Sequence, residues 1–421
     1  MLDIKFIRNH PDKVKESCKQ KHIKVDVDLL LEVDKRRRQT LQALEDMSAQ
    51  KNQASKIISR TKDEKEKRKL ILEMRELDEN SDRLTKVLKE SEGEFNNLML
   101  QIPNLPFDDV PIGRDEKDNV VLREWGEKSK FDFQPKNYLE LAENLDLIDV
   151  KRAAKISGTR FGILKKEAAL LEFSLINFTF ETLLQDGFVP VIPPIMLKPE
   201  MLEKSGHLSE KDKPERYFIE KDNAYLAGTA EQPIAAMHAD EIFGEEDLPK
   251  RYLGFSTCFR REAGAYGKDT KGIFRVHQFD KIEMFSICHP EKSRGEHQFL
   301  LSCQEKLMQS LKIPYRVIQI CTGDLGFPAA AAYDIEAWIP SENRYRETHT
   351  TFNDTDFQTR RLNIRYRDSK TKKLAIPHAL NGTAFAIGRI LIAIIENYQQ
   401  KDGKIFVPES LQKYLNFKTI Q

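Results

Sequence analysis

Between Pro11 and Pro103 the chain contains no proline and a single glycine, Gly93. Such a stretch can run as long unbroken helix, because proline removes a backbone donor and glycine costs about 1 kcal/mol in a helix interior. The apolar residues carry the matching period. Leu70, Met74, Leu77, Ser81, Leu84, Leu88, Ser91, Phe95 and Leu98 follow alternating steps of four and three, the spacing of a coiled-coil seam, and seven of the nine are apolar. A weaker stripe with the same steps, Leu30, Val33, Arg37, Thr40, Leu44, Met47, Lys51, Ala54 and Ile58, has six apolar positions. The pattern lapses over Ser59-Arg60-Thr61-Lys62-Asp63-Glu64, where a short turn lets the helices return antiparallel with the two stripes facing. The expectation is a protruding two-helix arm within residues 1–102.

Charge says little about what such an arm would touch. Residues 1–100 hold 23 Lys+Arg against 20 Asp+Glu, and the whole chain 68 against 67. A balance of this kind argues against a polycationic nucleic-acid coat and leaves local patches open. Lys35-Arg36-Arg37-Arg38 and the run from Lys62 to Lys69 could contact phosphates or solvate a thin coiled coil. On charge alone, solvation is the better reading.

Three prolines in the stretch from Ile102 to Gly113 exclude regular helix or central strand, so residues 103–113 read as a linker. Beyond it, helical stretches such as Leu164 to Gln185 alternate with β-like runs such as Phe188 to Ile192 and Tyr252 to Phe259. Residues 114–421 are therefore expected to form an α+β domain. No apolar run approaches the roughly 18 residues of a membrane span, and the start has no signal-peptide core, so the expected setting is soluble and intracellular. The five cysteines are odd in number, widely spread and without a C-x-x-C pair, which suggests buried thiols rather than a disulfide framework or a structural zinc site.

Neither G-x-x-x-x-G-K-[ST] nor G-x-G-x-x-G after a strand is present, so a bound nucleotide would need another cradle. The best candidate runs from Thr257-Cys258-Phe259-Arg260-Arg261-Glu262-Ala263-Gly264 through Gly267 to Gly272, and on to Phe274-Arg275-Val276-His277-Gln278-Phe279-Asp280-Lys281-Ile282-Glu283. Two β-like runs there flank a loop rich in glycine and cations, which could fold over a polyphosphate or be a solvated hairpin. If the second run is strand, Arg275, His277 and Phe279 share one face. Thr229 and Glu231 would do the same if their segment is extended. Arg389 has apolar residues three and four positions away on both sides, Phe385, Ala386, Ile392 and Ala393, so its charge needs a partner: a ligand phosphate, or an internal carboxylate such as Glu396.

The string from Cys258 to Glu283 resembles the second signature motif of class II aminoacyl-tRNA synthetases, in the form found in seryl-tRNA synthetases. The resemblance extends over nearly the whole chain. It includes the helical arm, Tyr225-Leu226-Ala227-Gly228-Thr229-Ala230-Glu231-Gln232-Pro233, Cys321-Thr322-Gly323-Asp324-Leu325-Gly326, Asn363-Ile364-Arg365-Tyr366-Arg367, and Asn381-Gly382-Thr383 leading to Arg389. It implies a six- or seven-stranded antiparallel sheet flanked by helices, with ATP and L-serine bound on its face. It also implies a homodimer formed through the region Leu171 to Ile195, and an arm that binds serine tRNA and, by family precedent, selenocysteine tRNA. The implied activity is cytoplasmic serine–tRNA ligation with ATP and Mg2+, with no membrane partner.

The resemblance also carries site residues. Arg260, Glu283 and Arg389 become the catalytic candidates. ATP falls to Arg260, Arg261, Glu262, Arg275, Phe279, Glu347, Thr348, His349, Thr350 and Arg389, with Glu262 on the adenine amino group, Phe279 stacked on the ring, and Arg275 and Arg389 on the distal phosphates. Serine falls to Thr229, Ala230, Glu231, Arg260, Glu283, Asn381 and Thr383, and magnesium to Glu347 with Thr350. Two segments depart from the family pattern: Glu347-Thr348-His349-Thr350-Thr351-Phe352-Asn353 places a histidine where hydroxyls are usual, and Asn381-Gly382-Thr383-Ala384 adds a methyl and loses a glycine. His349 could flank the metal, accept a proton near ATP, or pack as a neutral ring, the last being favoured. Two other readings are a catalytically silent synthetase paralogue acting as an RNA-binding or scaffold protein, and an amino-acid:carrier-protein ligase. Retention of the phosphate arginines and Glu283 counts against the first, and retention of the arm against the second.

Overall fold

The computed structural model describes residues 1–209, 212–263 and 271–421, so Gly264, Gly267 and their neighbours in the candidate phosphate loop lie outside the described residues. The chain divides into two compact units, Met1–Pro103 and Asn104–Gln421.

In the first unit, helices α1 (Val27–Ile58) and α2 (Glu64–Leu100) form the expected hairpin. Aspartates start both: Asp26 accepts from Leu29 N and Asp63 from Lys65 N, each at 2.8 Å, satisfying otherwise orphaned N–H groups. The two cations that interrupt the weaker stripe are taken up by the facing helix. The Arg37 guanidinium lies 4.6 Å above the Phe95 ring, and Lys51 Nζ is 2.5 Å from Asp78. The basic cluster is likewise tied down internally. Arg36 pairs with Glu94, while fully buried Asp34 accepts from Arg8 at 2.7 Å and Arg38 at 3.0 Å. Burial alone would raise the Asp34 carboxyl, yet these arginines hold it below its ordinary value. Three of the four residues in Lys35-Arg36-Arg37-Arg38 therefore serve the hairpin itself.

The second unit is built on an eight-stranded sheet rather than the six or seven strands expected. In chain order its strands are β1 (Val120–Trp125), β2 (Val189–Val191), β3 (Lys250–Phe259), β4 (Gln278–Cys288), β5 (Tyr315–Gln319), β6 (Ala331–Ile339), β7 (Arg344–Asn353) and β8 (His378–Ala386). They lie side by side as β1-β5-β6-β7-β8-β4-β3-β2. Every pairing is antiparallel except the edge pair β2–β3.

One sheet face packs on helices α3 (Lys166–Leu184), α5 (Ser293–Ser310) and α6 (Ile387–Asn397), burying Ile282, Met284, Ile335 and Leu380 against Leu175, Leu300, Leu307 and Ile390. The other face is covered only in part. Phe285, Ile287 and Ala379 pack under the short helix α4 (Glu231–Ala236) and Ile364, while Phe279, Lys281 and Glu283, further back on β4, line a cavity. Strand alternation thus gives β4 one core face and one face divided between packing and an open cavity.

Residues 104–113 are not a free linker. The buried Asn104 amide donates to Pro328 O and Asp354 O at 2.8 Å, Phe107 N donates to Ala330 O, and Thr322 N donates to Pro111 O. Prolines bar regular structure there, yet the backbone is paired like that of any buried segment. On α3, Leu171, Leu175 and Phe178 are core, but Phe173 is 65% exposed, as is Ile192 at 81% just after β2. Internal packing therefore does not explain that apolar face. All five cysteines are buried free thiols. Among the described residues no helix is long and apolar enough to cross a membrane.

Candidate active site

A cavity of about 500 Å³ opens on the partly covered sheet face. Strand β4 supplies Phe279, Lys281 and Glu283, β8 supplies Asn381 and Thr383, and β7 supplies Glu347, Thr348, His349, Thr350 and Phe352. Thr229, Glu231 and Gln232 come from the start of α4, Arg389 from the first turn of α6, and Arg260, Glu262 and Arg275 from the segments bordering β3 and β4. Residues between 207 and 389 in sequence thus converge on one site.

Among the described residues, three ion pairs line it. Arg389 Nη1 lies 2.7 Å from Glu347 Oε1 and 3.2 Å from the Glu347 carbonyl oxygen, and its guanidinium is 4.9 Å above the Phe274 ring. The internal partner is thus Glu347, not Glu396, which instead accepts from Tyr138 N and Ser341 N. Arg275 Nη1 is 3.4 Å from Glu262, and Lys281 pairs with Glu283. Arg260 donates to Gly228 O at 3.2 Å and lies 5.4 Å from the centre of the Phe279 ring. Among the described residues, five cations and six carboxylates line the cavity. Burial pushes the Glu231 and Glu283 carboxyls up, against the pull of Lys281; Glu347, only partly withdrawn from solvent, is held down by Arg389 against its desolvation.

Several expectations about local geometry need correction. Strand β4 begins only at Gln278, so Arg275 and His277 precede it and share no strand face with Phe279. Arg275 still reaches the cavity; His277 is not among its lining residues and accompanies the Arg260 backbone, its Nδ1 3.0 Å from Arg260 O. Thr229 and Glu231 are not extended, because Ala230 is already in helical conformation and Glu231 opens α4. The turn brings both to the cavity regardless, with Thr229 Oγ1 accepting from Glu231 N at 3.3 Å.

Among the described residues, two candidates do not line the cavity. The Ala230 side chain is buried in the apolar cluster beneath α4, and exposed Arg261 sits 5.1 Å above the Tyr217 ring. The Thr348 hydroxyl is already committed, donating to Ile335 O at 3.1 Å. His349 is buried, with its ring 5.6 Å from Phe385 and Nδ1 2.8 Å from Thr348 Oγ1, and burial pushes its pKa down to about 3. It is the packed neutral histidine.

The sequence reading does not reach Lys281, Arg216, His207 or Gln232, all of which line the cavity. For Lys281 the signal was available: Phe279, Lys281 and Glu283 alternate along one strand. For Arg216 and His207 no local signal exists, because neither lies in a helix or a strand. Burial, together with Arg216, pushes His207 down to about 3.

The chain resembles known proteins over its whole length. Residues 1–106 match the model of the seryl-tRNA synthetase N-terminal domain, and residues 217–398 that of the class II tRNA synthetase core domain for G, H, P, S and T. The serine–tRNA ligase of Dictyoglomus turgidum is 44% identical, the alignment covering 100% of this chain and 99% of the relative. A crystal structure of seryl-tRNA synthetase from Pyrococcus horikoshii complexed with ATP superposes with a TM-score of 0.94 at 40% identity, covering 100% of this chain and 99% of that one. The cytoplasmic enzyme of Naegleria fowleri in complex with AMP gives 0.88 at 34% identity, with the same coverage.

Proposed function

The chain belongs to the seryl-tRNA synthetases and is a serine–tRNA ligase, and on that premise we propose how its residues divide the work. The reaction joins serine to ATP as seryl-adenylate with release of pyrophosphate, then passes the seryl group to the 3′ end of serine tRNA. Its first step brings the serine carboxylate against the α-phosphate, two anions that must be neutralised and held in line.

Arg260, which reaches between the serine end and the Phe279 ring, serves both anions at the reacting centre. Phe279 stacks on adenine and Glu262 accepts from its amino group. Arg275 and Arg389 bind the distal phosphates. Glu283 and Glu231 receive the serine ammonium group and hydroxyl with Thr229, Asn381 and Thr383, whose hydroxyl lies 3.4 Å from Glu283 Oε2. The observation that carries this division is the pairing of Arg275 with Glu262, Lys281 with Glu283 and Arg389 with Glu347 around one cavity. Phosphates can take over the two arginines, which frees Glu262 for the adenine amino group and Glu347 for a metal ion.

Glu347 and Thr350 fit a magnesium ion on their chemistry, two hard oxygen donors 3.5 Å apart beside the proposed phosphates. When bound there, the ion would neutralise phosphate charge; the chain's own contribution is to hold those donors on one strand. The exposed apolar residues Phe173, Val189 and Ile192 suit a homodimer interface. Selenocysteine tRNA as a second substrate and a cytoplasmic location complete the reading.

Exchange of labelled pyrophosphate into ATP, measured with each amino acid in turn, tests it. Exchange with serine is expected. Exchange with threonine or alanine in its place would overturn the assignment of the serine pocket.

A further inference from the structure

Strands β7 and β8 are neighbours, but their ladder is short: Asn353 pairs with Leu380, Phe352 with Asn381 and Thr351 with Gly382, and there the pairing stops. Both strands continue, β7 paired to β6 and β8 to β4, each of those ladders carrying an irregularity at the same level, between Ile335 and Glu336 and between Ile282 and Glu283. The sheet therefore opens between Thr350 and Thr383, the first residues beyond the last registered pair. Backbone carbonyls in such a gap lose their ladder partners and need others.

A single side chain supplies them. Gln304 rises from α5 beneath the sheet, fully buried, and its amide nitrogen donates to Thr350 O at 3.0 Å and to Thr383 O at 2.9 Å. An amide has two N–H donors, so one group satisfies both carbonyls. The fit is tight enough to restrict its neighbour: a Cβ at Gly382 would lie 3.3 Å from Gln304 Nε2 and 2.9 Å from Thr351 Oγ1. The gap is thus held at a set width from below, while the same two threonines present hydroxyls into the cavity above.

We propose that Gln304 is a positioning residue that sets the distance between the nucleotide side of the site, at Thr350, and the serine side, at Thr383, and thereby helps to exclude threonine. This rests on the roles proposed above for those two threonines. Gln304 touches no substrate; it acts through the backbone of two strands. The substrate difference it guards is one methyl group, which a pocket rejects by roughly 10–200-fold when the walls are fixed, and by less when they can move apart.

The test uses the full-length enzyme and compares kcat/KM for serine and threonine in adenylate formation. Gln304→Met keeps side-chain length and removes both donors; the serine-to-threonine ratio is expected to fall about tenfold, with the KM for ATP changed less than twofold. Leu307→Ala, a cavity one turn further along the same helix that removes no hydrogen-bond donor, is expected to lower the melting temperature and leave the ratio unchanged. If Leu307→Ala moves the ratio as much as Gln304→Met, or if Gln304→Met leaves it unchanged, the proposal fails. Should the methionine variant not fold, Gln304→Asn, with donors one methylene short of the strands, is expected to give the same fall, and an unchanged ratio overturns the proposal equally. Thr383→Val separates the two readings. A raised serine KM there with no effect of Gln304→Met rejects Gln304 alone, whereas an unchanged serine KM rejects the assignment of Thr383 itself.

Discussion

Arg389 and Glu347 meet across the cavity floor, Nη1 to Oε1 at 2.7 Å, with the Glu347 side chain still 44% exposed. The pair is open enough to be screened, so a phosphate can replace the carboxylate at small cost. Together with the Glu347 carbonyl oxygen and the face of the Phe274 ring, it keeps the arginine in place on the first turn of α6.

Arg389→Met is therefore expected to leave the fold intact and lower kcat/KM for ATP in pyrophosphate exchange by about 100–1000-fold, the scale of a lost donor to developing phosphate charge. Arg389→Lys should recover only part, because an ammonium group lacks the planar fork. A methionine variant within threefold of the parent enzyme would remove Arg389 from the phosphate site.

Lys281 opposes the burial that raises the Glu283 carboxyl. Binding of the serine ammonium group requires Glu283 as carboxylate. Lys281→Met removes the lowering influence, so the Glu283 pKa rises further and the acid limb of the kcat/KM profile for serine moves to higher pH. A limb that stays in place or moves to lower pH contradicts the assignment. The comparison is made at saturating ATP, which isolates the serine term.

Stability should depend on pH in two opposite windows. Glu172 is raised to about 8 by burial and by its hydrogen bond and charge repulsion with Asp280. From about pH 4.5 to 8 the folded state holds this proton more tightly than the unfolded state, so its contribution is lost as pH rises through that range. Glu172→Gln, which keeps a donor to Asp280, is expected to raise the melting temperature at pH 8 by a few degrees and to have little effect at pH 4.5. In the other direction, burial lowers His207 and His349 to about 3, and His297 and His378 to about 4. The unfolded chain takes up those protons first, so stability falls as pH drops below about 6.5, reaching its full loss near pH 3–4. Thermal melts from pH 4 to 9 would show both limbs; a melting temperature flat below pH 6.5 would contradict the histidine account.

Replacing Asp34 to Asn97 by a short flexible linker should leave pyrophosphate exchange within a few-fold of normal and abolish charging of serine tRNA. The catalytic unit, Asn104–Gln421, has its own core and holds every cavity-lining residue. Since Arg36, Arg37 and Arg38 are engaged within the hairpin, alanine at Lys62, Lys65 and Arg68 in the exposed turn region should raise the KM for tRNA more than alanine at Arg37, which should chiefly lower thermal stability. Charging that survives the deletion would refute the role of the arm.

By itself, the sequence determined the features written in local periodicity and punctuation. The hairpin of α1 and α2 was legible because an alternating step of four and three over nine positions has few other ways to bury its apolar residues, and because nothing in it breaks a helix. The run of motif residues identified Arg260, Glu262, Glu283 and Arg389, and all four line one cavity. Alternation along β4 contained Lys281 as well, a readable signal for a residue whose role depends on its neighbour two positions on.

Tertiary structure alone decided the rest. Thr229 and Glu231 share the cavity because a helix starts between them, Arg389 chose Glu347 over Glu396, and the proline-rich segment after residue 103 became packed chain instead of a linker. Gln304 lies 46 and 79 residues from the threonines whose carbonyls it binds, and nothing in its own helix marks it. Which strands become neighbours, and where their ladder breaks, depends on the packing of the whole sheet; no window of sequence contains the two carbonyls left open by that break.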